Sequence, residues 1–148
     1  MGSTEYKVRL SDLHHTAERL GLSLRDLIDE YLVALEVGGR SRRTIDWYRA
    51  FLREYSDFVA HHTGRAAILA DLSTVTARRW LLAAQSGRTR ALSPNSLAGR
   101  ARTLKAFGGW VFREVGLPIQ PLSGLVTPRV PDVLVRPVQY RKLSVFRP

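Results

Sequence analysis

The chain contains no cysteine, so neither a disulfide nor a thiolate metal site is open to it. No run of about 18 apolar residues occurs, and no transmembrane helix is expected. The first residues lack the apolar core of a secretory leader, which points to a cytoplasmic protein. Lysine is scarce, three against twenty arginines. Acid is scarce in one region above all. Between Asp71 and Glu114 there is none, while eight basic residues fall there. Residues 1–36 carry four basic and seven acidic groups, whereas residues 37–148 carry nineteen and six, so the formal charge of +10 belongs to the second part. A cationic surface of that kind attracts polyanions, and nucleic acid is the partner it suggests, against the plainer reading of a solubilising charge excess. No glycine-rich phosphate loop, metal-ligand spacing or paired carboxylate stands out. The expectations are therefore no catalytic residue, no metal or cofactor, no small-molecule substrate and no membrane.

What is present is helical periodicity. Ser93 to Gly116 predicts one long helix, with Ser93 as N-cap, Pro94 at the first helical position and Gly116 as the stop. Leu97, Ala101, Leu104, Phe107, Val111, Phe112 and Val115 recur at three- and four-residue steps and make its apolar face. Arg102, Lys105 and Arg113 line a second face with Gly109 between them, and Arg100 lies close to that line. Gly108-Gly109 marks either a kink or a close approach.

Earlier in the chain, Ser23 to Val37 predicts a helix with an acidic outer face of Asp26, Asp29, Glu30 and Glu36. Ser41 to His62 predicts a second, with Arg42, Arg49 and Arg53 opposite the apolar stripe. Its first turn crowds Ser41, Arg42, Arg43 and Thr44 around free amides, a candidate phosphate site. A further helix runs from Ser73 or Thr74 to about Ser86, with Val75, Trp80, Leu81 and Ala84 as expected core. Arg88 and Arg90 lie in the loop before the long helix. Prolines 118, 121, 128, 131 and 137 predict an extended segment after Gly116. The predicted architecture is all-α: a compact bundle of four to five helices with a Pro-rich C-terminal tail. Its divisions are 1–22 as tail or short helix, 23–118 as bundle and 119–148 as linker.

The ordered patches resemble the N-terminal core-binding, SAM-like domain of phage integrases, the tyrosine site-specific recombinases. They are Leu27-Ile28-Asp29-Glu30-Tyr31-Leu32, Ser41 to Tyr48 with Leu52 and Phe58, Val75 with Arg79-Trp80-Leu81, then Leu97, Arg102 to Phe107, Trp110, Gly116 and Pro121-Leu122-Ser123-Gly124-Leu125. The resemblance covers about residues 23–137. Gln120 departs from it, since the family commonly has asparagine before that proline. The resemblance implies a domain that clamps one side of duplex DNA with two helices, here 41–62 and 93–116. It also implies a separate catalytic domain that this chain lacks, and a possible encounter with other recombinase protomers on DNA.

The DNA-binding set expected on these grounds is Ser41, Arg42, Arg43, Thr44, Arg49, Arg53, Arg88, Arg90, Arg100, Arg102, Lys105 and Arg113. His62-Thr63-Gly64-Arg65 matches the family's catalytic His-x-x-Arg string, but it falls inside the helical region and is read as a chance match. The contrasting expectation, from another class, is a stand-alone basic helical module that binds RNA or an acidic protein.

Overall fold

The computed structural model describes residues 18–86 and 92–129. Among them four α-helices form the bundle: α1 Leu24–Val37, α2 Arg42–Thr63, α3 Thr74–Ser86 and α4 Pro94–Val111. No strand occurs among these residues, only an isolated bridge between Ser23 and Ile68. Each helix begins at a serine. The hydroxyls of Ser23, Ser41, Ser73 and Ser93 accept the amides of Asp26, Thr44, Thr76 and Ser96. Each bond satisfies one of the amides that a helix start leaves free.

The core gathers one face from each helix. Leu24 and Ile28 of α1, Leu52, Tyr55 and Val59 of α2, Trp80 of α3 and Leu104, Phe107 and Val111 of α4 are almost fully buried. Each such side chain contributes about 1.5–3 kcal/mol through removal from water. α4, like α2, touches all three other helices. Aromatic rings fasten α1 to it. Tyr31 lies 5.4 Å from Phe107 and 5.3 Å from Trp110, centroid to centroid, and stacks on Tyr48 of α2 at 6.2 Å.

Between α2 and α3, Ala67, Leu69 and Leu72 tuck into the core, with a 3-10 turn at Leu69–Asp71. Leu24 donates its amide to Ala67 and Leu69 to Leu22, which ties this connection to the start of α1. The Tyr55 hydroxyl donates to the Asp71 carbonyl at 2.6 Å, and burial pushes that phenol above its ordinary pKa.

Three expectations change. The long helix is α-helical only to Val111. Phe112–Gly116 is a π-helical turn, closed by the Leu117 amide on the Phe112 carbonyl, and Gly116 ends it at φ 78°, where a side chain would be strained. Val75 is 56% exposed rather than core, because Ala77 and Trp80 take the inward positions of α3. Most consequential, residues 117–125 are no free linker. Leu117, Leu122 and Leu125 are buried against the bundle. Gly108 makes this possible: a Cβ there would stand 3.0 Å from Leu122 Cδ1 and 3.2 Å from Gln120 Oε1. The glycine pair marks a close approach, of the chain's own segment. Gln120 serves the local turn itself, its side-chain oxygen accepting the Leu122 amide. Residues 18–20 are helical, the end of the short helix expected there; its earlier residues and the tail beyond 129 lie outside the described residues.

Candidate nucleic-acid interface

The first turn of α2 places the Ser41, Arg42, Arg43 and Thr44 group as expected, but its hydroxyls are occupied. Ser41 Oγ accepts the Thr44 amide at 3.2 Å and donates to Thr44 Oγ1 at 3.0 Å. Those two residues build the cap, and the exposed charge there is Arg42 and Arg43. Arg43 lies over the Trp47 ring at 5.5 Å, which accounts for a tryptophan left 56% exposed. Arg49 is paired with Asp46 at 3.0 Å in an exposed i,i+3 bridge, so part of its charge is already answered. Arg53 is exposed and makes no ion pair among the described residues.

Arg100 is placed differently from the expectation. It is 5% exposed, and it faces α2 rather than solvent. Nε and one terminal nitrogen donate to the two carboxylate oxygens of Glu54 at 2.8 and 3.0 Å; the other terminal nitrogen reaches Ser96 Oγ at 2.6 Å. The guanidinium covers the Phe51 ring at 4.6 Å. All of its polarity is spent inside the bundle, so it leaves the set of surface cations. Arg88 and Arg90 lie outside the described residues.

Arg102 and Lys105 of α4 and Arg113 of the π-helical turn after it keep to one row, and none has an ion-pair partner among the described residues. Lys105 and Arg113 border a cavity of about 510 Å³ between α4 and the C-terminal half of α1, lined also by Tyr31, Ala34, Leu35, Gly38, Arg40, Ala106, Gly109 and Trp110. Arg40 enters through the turn that ends α1. Gly39 takes φ 84° and the Arg40 amide returns to the Leu35 carbonyl, six residues closed in a ring. Sequence reasoning missed Arg40, although a Gly-Gly stop followed by a basic residue was the available signal. Tyr31 is 5% exposed and its hydroxyl has no hydrogen-bond partner among the described residues. Burial, with help from the Tyr48 phenol, raises its pKa to about 12 against the pull of Arg40 and Arg113. It stays protonated, and able to donate, across the physiological range.

A second cavity, about 320 Å³, lies between α2 and α3 and is bordered by Glu54, Asp57, Phe58, His61 and Trp80. The acidic rim makes it a poor place for a polyanion.

The His62-Thr63-Gly64-Arg65 string is the end of α2 and its brace. His62 Nδ1 meets the Phe58 carbonyl at 3.0 Å, Gly64 caps the helix at φ 73°, and Arg65 grips Asp71 at 2.8 and 3.0 Å. Partial burial would raise the Asp71 carboxyl, but the Arg65 guanidinium and the Ile68 amide outweigh it and hold the group below the usual range. No helix among the described residues is long and apolar enough to cross a membrane.

Over 109 residues, 72% of the chain, the sequence is 31% identical to the tyrosine recombinase XerC of Corynebacterium glutamicum. The matched stretch spans 32% of that protein, so the chain corresponds to about a third of its relative's length. This likeness supports a relationship to the tyrosine recombinases. No family model matches the chain, and no solved structure does.

Proposed function

We propose that this bundle is the core-binding, DNA-clamping domain of a phage-integrase-like tyrosine recombinase, and that strand cleavage is performed by residues outside it. The observation that carries the reading is the row Arg102, Lys105 and Arg113. It is a set of cations without carboxylate partners among the described residues, on α4 and the π-helical turn that follows it, in a chain similar in sequence to a tyrosine recombinase. Arg42, Arg43 and Arg53 on α2 extend the contact, with Arg88 and Arg90 as helpers. Most of these arginines meet phosphate, which positions the domain on the duplex without specifying sequence. A major groove about 12 Å wide admits a helix of this size. Other protomers bound along the same DNA would be its neighbours, and the setting would be the cytoplasm.

Salt dependence tests the reading. Each phosphate contact releases counterions, so log K should fall with log salt by about 0.9 per contact. Arg102→Ala with Lys105→Ala should flatten that slope by about two units, while alanine preserves the helix. Asp29→Ala with Glu30→Ala, on the acidic outer face of α1, should leave affinity unchanged or slightly raised. A wild-type slope in the basic double variant, with far-UV circular dichroism intact, would remove α4 from the interface. Tighter binding of single-stranded RNA or of an acidic protein than of duplex DNA would favour the stand-alone module instead.

A further inference from the structure

The cavity between α1 and α4 shares Lys105 and Arg113 with the cationic row and adds Arg40 to them. Three cations, Arg40, Lys105 and Arg113, surround it, and no acidic residue lines it. Two of its walls are aromatic, Tyr31 and Trp110, at 5.3 Å from each other. Tyr31 lines it, and no hydrogen bond within the described residues engages its hydroxyl. Small residues, Ala34, Gly38, Ala106 and Gly109, keep the space open. At about 510 Å³ it falls in the range that holds a small organic ligand. A duplex backbone needs cations on a surface; it has no use for a hollow with an aromatic wall. A cationic groove joined to an aromatic platform is the arrangement that holds single-stranded nucleic acid, with phosphate on the charges and base against the ring.

We propose that this cavity binds one unpaired nucleotide of a DNA strand, its phosphate held by Arg40, Lys105 and Arg113 and its base lodged against Trp110. The Tyr31 hydroxyl donates to the bound nucleotide. The inference rests on the duplex-clamp reading only for the source of the strand.

Gly109 offers a variant that keeps every charge. A Cβ at this position meets only Arg113, at 3.5 Å, so Gly109→Leu fits the helix and fills the cavity. Arg40→Ala removes a cation that is not part of the α2 or α4 rows. Both would be made in the full chain in a Trp47→Phe background, where the remaining tryptophans are the buried Trp80 and the cavity's Trp110. Fluorescence would be followed on titration with thymidine 5′-monophosphate, short oligothymidylate, inorganic phosphate and an acidic, tyrosine-containing peptide. The expected result is saturable quenching by the mononucleotide and the oligomer, weakened about tenfold or more by Arg40→Ala, as loss of a charged hydrogen bond would produce, and at least as much by Gly109→Leu, which occupies the space. Duplex affinity in the same variants should stay within about twofold, because the α2 and α4 rows are untouched. No saturable response to nucleotides, equal affinity for inorganic phosphate, tighter binding of the peptide, or indifference to both substitutions would each overturn the proposal. Failure of wild-type duplex binding alone would instead count against the clamp reading.

Discussion

Removing Glu54 should destabilise the bundle more than removing the arginine it holds. Arg100 is 6% exposed in its side chain and Glu54 35%, so the two partners differ in what water can do for them. In Glu54→Ala the guanidinium stays buried over Phe51, with only Ser96 left as a polar partner. Breaking a buried pair costs about 3–5 kcal/mol. Because one side of this pair reaches solvent, the loss should fall at the low end, about 3 kcal/mol. In a domain of about this size that is roughly a 12 °C fall in Tm. In Arg100→Met the abandoned carboxylate can turn toward water, and the loss should be about 1–2 kcal/mol. Glu54→Leu combined with Arg100→Met should come back to within about 1 kcal/mol of the parent, since no charge is left unpaired. Urea and thermal unfolding by circular dichroism would read the order. Salt titration of duplex binding would supply the functional half: Arg100→Met should leave the slope unchanged. A Glu54→Ala variant within about 0.5 kcal/mol of the parent would show that Arg100 is not sequestered. A slope reduced by about one unit in Arg100→Met would return it to the DNA contacts.

The glycine pair should split under substitution. Gly109→Ala, in ordinary contact with Arg113 at 3.5 Å, should stabilise by about 0.5–1 kcal/mol from helix propensity. Gly108→Ala, which drives a methyl to 3.0 Å from Leu122, should lose about 1 kcal/mol net, and equal stabilisation by both would refute the close packing of residues 117–125. Asp71 has a folded-state pKa below its ordinary value, so its contribution is present above the unfolded pKa and disappears as pH falls through the folded one. Acid unfolding of Asp71→Asn should accordingly be less steep below about pH 4, and an unchanged acid limb would remove Asp71 from the account.

Local chemistry was legible wherever it acts over one helical turn. Ser23, Ser41 and Ser93 cap the helices that their spacing predicts, and Gly116 stops the last one in the left-handed conformation. The step of Leu104, Phe107 and Val111 identified a face that is in fact buried. At 3.6 residues per turn Arg100 already falls about 200° from Arg102, off the outward row, and what the sequence left hidden is the partner that receives it. Arg100 and Arg102 are two positions apart on one helix. A carboxylate 46 residues earlier draws the first inward, while the second remains outside. Val75 and Trp80 were both expected inside α3, and only the packing against Tyr55 distinguishes them.

By itself, the sequence determined the all-α bundle, the helix starts and the excess of positive charge on its second part, because caps, apolar period and charge are properties of neighbouring residues. Tertiary structure alone decided which cations are free, since a guanidinium is neutralised by whatever carboxylate the fold brings within about 3 Å. It decided that Leu122 and Leu125 belong to the core, since prolines forbid a helix but say nothing about where an extended segment will find apolar surface. It also brought Arg40, at the end of one helix, to Lys105 and Arg113 on another, around a hollow that no local pattern encodes.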